Sequence, residues 1–363
     1  MNQSKSPASS FAYIPQLDSI RFLAFILIFI HHTNVAGVVA MSGLQKIGWV
    51  GVDIFLCLSA FLLTRLLLIE LQTHKEISFF QFYMRRILRI WPLYFAYLVF
   101  VIIISLFIFK TEQDLFRFVT LATFTDNIAT AIHGYNPHEA TGHLWTISYE
   151  EQFYLVLPFA VIFVSRLNNT TRKVILVSII ATGVLSKFVF IYAHASHPAI
   201  WVLPVTHFES VIAGIMMAYY YNRLKDIPSV LLVLIFTASL CGIIMAPHVS
   251  MSNILFLISY TSAGLLSFSV VTFAINSQFK TLQKLLLLKP ICYLGKISYG
   301  LYVFHLLSLL VVYHIKPTDN YYIDNLLGLV LCIISAIVSY EIFEKFFLKL
   351  KNRKYQLGNV SPS

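Results

Sequence analysis

Apolar residues in this chain come in long runs separated by short polar clusters. Ten runs are long enough to cross the hydrocarbon core of a bilayer as helices, at roughly residues 17–40, 48–69, 90–109, 144–164, 174–194, 201–221, 228–247, 254–275, 291–315 and 322–344. The run at 144–164 has the most polar start. A short polar tail, 1–16, precedes them and a short basic one, 345–363, follows. No Ser/Gly/Pro-rich linker, long charge run or internal repeat marks a boundary. The pattern predicts one domain over 1–363, with residues 17–344 forming an all-α, polytopic membrane helical bundle of about ten transmembrane helices.

Composition agrees. The 363 residues are 58% hydrophobic and 12% charged, with mean hydropathy +0.78, more apolar surface than a soluble domain can hide. The net charge of +10 lies in clusters at the ends of apolar runs, which reads as membrane topology and not as nucleic-acid binding. With the N-terminus inside, 18 of the 26 Lys and Arg fall in inner segments and four in outer loops. That split predicts that both termini are cytoplasmic. The first run is too long for a signal peptide and lacks a cleavage site after it. Cys57, Cys241, Cys292 and Cys332 lie in apolar runs without CxxC spacing. They read as reduced packing residues, and no metal site is expected.

Polar residues inside such runs are the candidates for chemistry. The first run, LDSIRFLAFILIFIHHT, carries Asp18 and Arg21 at one end and His31 and His32 at the other. Eleven positions separate Arg21 from His32. That is close to three helical turns, so the two share a face about 16 Å apart. Arg21 falls at the cytoplasmic surface and His32 in the outer half of the membrane. Taken singly, Arg21 reads rather as a snorkelling anchor, and His32 reads equally as a core histidine.

Further along, Asp53 lies near the outer end of the second run, and Ser59 and Ala60 are small residues suited to close helix packing. Arg85, Arg86 and Arg89 mark the cytoplasmic end of the third. Arg86 and Arg89, three apart, share a face and match a phosphate's geometry, although an all-arginine anchor fits the charge pattern as well. In GHLWTISYEEQFYLVLP, Glu150 falls at a depth comparable with His32, and Glu151 is expected to face the outer water. A carboxylate beside an imidazole fixes its tautomer, as a general base acting on a hydroxyl requires. GKISYGLYVFHLL places His305 near Tyr299 and Tyr302, as a packing cluster or a functional one. The outer loop, about 110–143, holds His133, His138 and His143. Lys187, His207, Glu209, Glu341 and Glu344 are polar intrusions without an assigned role.

Together these segments resemble the acyltransferase-3 family of bacterial inner-membrane O-acyltransferases. DSIRFLAFILIFIHH, GVDIFLCLSAFLL, RRILRIWPLY, LWTISYEEQFYLVLP and SYGLYVFH carry the resemblance, in the family's order, from residue 18 to 305. Ala60 stands where the family usually has Gly, Cys57 where it has an aliphatic residue and Thr146 where it has Ser. The chain resembles the stand-alone form, without a C-terminal SGNH-type hydrolase domain.

The resemblance implies transfer of an acyl group, usually acetyl, from cytoplasmic acetyl-CoA to a hydroxyl of a cell-envelope glycan such as O-antigen or exopolysaccharide. It implies a multi-pass protein of the bacterial inner membrane. Its partners would be acyl-CoA, a surface or lipid-linked glycan and the lipid bilayer, with no nucleic acid. Acetyl-CoA is then a donor substrate, and no permanently bound cofactor is expected. The family's Arg-x10-His pair maps onto Arg21 and His32, its RxxR pair onto Arg86 and Arg89, and its glutamate onto Glu150. His32, oriented by Glu150, would be catalytic, and Arg21, Arg86 and Arg89 would bind acyl-CoA. Asp18, Ser59, Trp145, Tyr299 and His305 would support them. Direct attack on the thioester and an acyl-histidine intermediate both remain open. The rival readings are a transporter or flippase of acyl groups or lipid-linked glycan, and an inactive scaffold. A transporter is expected to show inverted repeats and broken helix pairs, which the sequence does not display.

Overall fold

The computed structural model describes residues 13–33, 39–104, 106–107, 114–195, 197–246 and 254–354. Lys5 and most of the polar tail, Lys110, Glu112 and the last nine residues lie outside them. The described chain is helical, without strands. Its helices are α1 (Pro15–His32), α2 (Val39–Ile47), α3 (Val50–His74), α4 (Phe79–Ile104), α5 (Leu115–Ala122), α6 (Asp126–His133), α7 (Trp145–Ser165), α8 (Asn169–Tyr192) and α9 (Ala199–Val202). They continue with α10 (Glu209–Tyr219), α11 (Tyr221–Leu224), α12 (Ser229–Met245), α13 (Phe256–Ile275), α14 (Lys280–Leu286), α15 (Lys289–Lys296), α16 (Ser298–Ile315), α17 (Tyr321–Val338) and α18 (Lys345–Lys354).

Among the described residues, seven helical stretches are long and apolar enough to cross a membrane: α3, α4, α7 with its preceding turn, α8, α13, α16, and α17 running on into α18. Three predicted spans fall outside that set. α1 is 18 residues long, and its apolar stretch is interrupted by Asp18, Arg21 and the terminal histidines. α12 has 17 residues. The run at 201–221 is not one helix: α9 ends at Val202, residues 203–208 leave the helical path, and α10 has only 11 residues.

Pro204 accounts for the break, because it lacks an N–H and disfavours helix at the residue before it. Side chains take up the backbone carbonyls around it. Tyr149 Oη donates to the His207 carbonyl, and Thr206 Oγ1 donates to Ile200 O at 2.8 Å. Non-helical backbone at membrane depth needs such partners. The third predicted span also differs from its expected bounds. α4 begins at Phe79, so Arg85, Arg86 and Arg89 lie within it and not before it.

α3 is the central element, the most buried of the seven, and it packs on α1, α7, α10 and α13. A Cβ added at Gly214 of α10 would lie 2.3 Å from Cys57 O and 2.8 Å from the Ala60 Cβ. Small residues at 60 and 214 are therefore what let α3 and α10 touch. α8 is peripheral, the least buried of the seven. Its buried residues are Gly183 and Lys187. Gly183 accommodates the Phe208 ring. Lys187 forms an ion pair with Glu209, and its Nζ sits 4.1 Å above the Tyr260 ring.

That ion pair should dominate the docking of α8. Lys187→Met should destabilise the protein by about 3–5 kcal/mol, because it strands the Glu209 carboxylate. The double variant Lys187→Met/Glu209→Gln should recover most of the loss in a thermal-unfolding cycle in detergent. Additive losses would show that the two side chains do not interact.

Candidate active site

The helix face predicted on α1 looks into the bundle, and two cavities adjoin it. The inner cavity, about 120 Å³, is lined by Arg21, Ser59, Arg86, Arg89, Glu150 and Tyr154, among others. The arginines are not equivalent. Arg21 is paired with Asp18 three residues earlier. Arg85 is turned away to Glu70 at 3.1 Å, and Glu70 also accepts from Ser78 N at 2.9 Å. Arg86 is left with a buried Nε that has no hydrogen-bond partner. Tyr299 lines the same cavity and donates to Ile90 O at 2.8 Å.

Glu150 belongs to this cationic end. Its carboxylate accepts from Ser59 Oγ at 3.1 Å and from Tyr154 Oη at 2.8 Å. The expected pairing with His32 is not formed. The Tyr154 contact spans one helical turn of α7, so local geometry holds Glu150 there. Glu151 does not face outer water either: it is half-buried and accepts from Trp91 Nε1 at 3.1 Å.

The outer cavity, about 490 Å³, is lined by His32, Glu139, His143, Trp145 and Tyr302, among others. Ile28, Val52, Thr146 and Tyr302 line both cavities and so form the partition between them. Tyr302 Oη lies 2.6 Å from Thr146 Oγ1 and donates to His143 O at 2.8 Å.

Carbonyl oxygens only accept, and that fixes the tautomers. His305 Nδ1 faces Tyr302 O, so it carries the proton and Nε2 is a lone pair. His32 Nδ1 lies 2.9 Å from Ile28 O and 3.3 Å from His305 Nε2. Its N–H is therefore shared between two acceptors, which leaves His32 Nε2 as a free base nitrogen. A backbone carbonyl and a second imidazole hold the His32 ring where a carboxylate was expected. Beside them stands His143, which the sequence showed only as one of three outer-loop histidines. Its ring centroid is 4.6 Å from that of His305. Among the described residues no group of three or more His, Cys, Asp or Glu is placed to hold a metal.

A second polar cluster supports the outer wall. Asp53, expected near the outer surface, is fully buried; Ser210 Oγ donates to it and His207 Nε2 lies 3.0 Å away. His207 donates from Nδ1 to Trp201 O at 2.9 Å and stacks on the Trp201 ring, centroids 4.2 Å apart. Trp201 in turn meets Trp145 edge-on at 5.7 Å. The unassigned His207 thus braces the tryptophan wall of the outer cavity.

Apolar helices around two cavities that share one wall, one arginine-lined and the other histidine-lined, define a multi-pass membrane protein with a ligand-sized interior. The chain belongs to the acyltransferase-3 family, whose acyltransferase-domain model matches residues 14–342. It is similar to the peptidoglycan O-acetyltransferase OatA of Listeria monocytogenes serovar 1/2a, 27% identical over 81% of this chain and 49% of that protein. The O-acetyltransferase OatA of Staphylococcus aureus strain MRSA252 is 25% identical over 96% of this chain and 60% of its own length. A putative O-acetyltransferase of S. aureus strain COL is 26% identical over 93% of this chain and 58% of its own. The chain thus spans about half to three-fifths of the length of these relatives. No solved structure matches it.

The position of Arg21 depends on Gly295 of α15, where an added Cβ would lie 1.8 Å from Asp18 O. Gly295→Ala should therefore push the first turn of α1 aside and destabilise the protein by about 1–3 kcal/mol. A lowered unfolding midpoint in detergent checks this; an unchanged one would show that α1 and α15 are not in contact there.

Proposed function

We propose that the chain is a membrane O-acetyltransferase that moves an acetyl group from cytoplasmic acetyl-CoA to a hydroxyl of a cell-envelope glycan, in the bacterial inner membrane. The observation that carries this reading is the pair of cavities along α1, cationic at one end and histidine-lined at the other, with a common wall. The donor's phosphates bind at Arg21, Arg86 and Arg89, whose guanidiniums suit phosphate oxygens. Glu150, Ser59 and Tyr154 line the path of the pantetheine arm. The thioester reaches the wall between Thr146 and Tyr302. The acceptor enters the outer cavity, whose volume lies in the range of small-molecule sites.

His32 Nε2 takes the proton of the acceptor hydroxyl, and the oxygen attacks the thioester carbon. Ile28 O and His305 hold the His32 ring in the tautomer that this requires. Peptidoglycan, named for the Listeria relative, is the first acceptor to test; O-antigen and exopolysaccharide are the others.

Binding of acetyl-CoA by the purified chain separates this function from a flippase or a scaffold. Arg86→Ala should raise KM for acetyl-CoA about tenfold or more with kcat little changed, as expected for loss of a charge-assisted contact made equally in ground and transition states. A fall in kcat at constant KM would remove Arg86 from donor binding. His32→Ala should lower kcat by about 100-fold or more while CoA affinity persists. Full activity in that variant would end the assignment of the base. Incubation with labelled acetyl-CoA and no acceptor should leave no stable label on His32; a label there would establish the acyl-histidine route.

A further inference from the structure

His143 is 3% exposed, and neither of its ring nitrogens makes a hydrogen bond. The backbone carbonyls of Tyr302 and Val303 lie close to the ring. Buried polar atoms normally have partners, and one left open beside a cavity is where a ligand can supply the partner. The ring lines the outer cavity next to His32 and Trp145. Its own carbonyl anchors Tyr302, one of the residues common to both cavities. It stands edge-on to His305 at 74°, which fixes the plane of the ring. The imidazole is thus held beside the wall where the two substrates of the proposed reaction would meet.

The other polar groups at that wall are occupied. The Tyr302 hydroxyl is engaged with His143 O and Thr146. The His32 Nδ1 proton is shared between Ile28 O and His305. Like charges so close repel, so when His32 accepts a proton its neighbouring imidazoles stay neutral. A neutral imidazole has one N–H to donate.

We propose that His143 is a catalytic residue whose N–H donates to the thioester carbonyl oxygen and holds the oxyanion that forms there. This rests on the acyl-transfer reading above. In the step, the acceptor's O–H proton moves to His32 Nε2 and its oxygen bonds to the acyl carbon. The carbonyl π pair moves onto the oxygen facing His143. When that pair re-forms the C=O bond, the C–S bond breaks, and the departing CoA thiolate takes the proton from His32. His143 keeps its own proton throughout. A pre-aimed donor is most effective where charge develops and water is excluded.

The test uses the full chain in lipid nanodiscs, with acetyl-CoA as donor and a soluble N-acetylglucosamine oligosaccharide or water as acceptor, reading release of the CoA thiol. His143→Phe keeps a ring without a donor, whereas His143→Gln keeps an N–H. The Phe variant should lose about 100-fold or more in kcat, with CoA affinity and KM for acetyl-CoA within about twofold. The Gln variant should regain about tenfold of that loss. A Phe variant as active as wild type, equal losses in both variants, or a loss confined to the oligosaccharide KM would each overturn the assignment. A wild-type chain that neither binds nor cleaves acetyl-CoA would remove the acyl-transfer reading itself.

Discussion

Hydrocarbon offers no partner to a charge, so each ionisable group inside this bundle must find one in the protein. Most do, and the pairs join helices. Asp53 and His207 link α3 to the break before α10, Lys187 and Glu209 link α8 to α10, and Arg85 and Glu70 link α4 to α3. The same demand shapes the irregular backbone at residues 203–208, where Tyr149 and Thr206 occupy carbonyls released from the helix. Unfilled capacity is therefore informative. The Arg86 Nε and the His143 ring are buried without partners, and both residues line cavities.

The two cavities stay distinct because Ile28 and Val52 present apolar surface between them and because Tyr302 and Thr146 are tied together. On the acyl-transfer reading, this wall separates a water-soluble, polyanionic donor from an acceptor on the other side. The thioester and the hydroxyl would meet at this wall. Exclusion of bulk water there would suppress hydrolysis and strengthen each fixed dipole. His207 and the tryptophans it braces keep the outer side in shape.

Several features are legible in the order of residues alone. The apolar runs announce a helical membrane bundle, since run length and hydropathy belong to each segment separately. The shared face of Arg21 and His32 follows from helix period within α1. The i,i+4 spacing of Glu150 and Tyr154 is equally visible, and it is the local sign that Glu150 has a partner of its own. Pro204 within the run at 201–221 likewise signals the break. By contrast, counting residues from a membrane surface puts Glu150 level with His32. That count assumes that every helix starts at one plane, which packed helices do not do.

Sequence by itself determined that the chain is built of apolar helices and which residues share a face of one helix, Arg86 and Arg89 among them. Only the tertiary structure decided which side chains meet. It put Glu150 with Ser59, set His305 and His143 beside His32, and withdrew Asp53 into the core. The reason is physical: periodicity acts along one chain segment, whereas pairing depends on the relative height and rotation of neighbouring helices. Those are set by close contacts such as Gly214 against Cys57 and Gly295 against Asp18, which link positions far apart in the sequence.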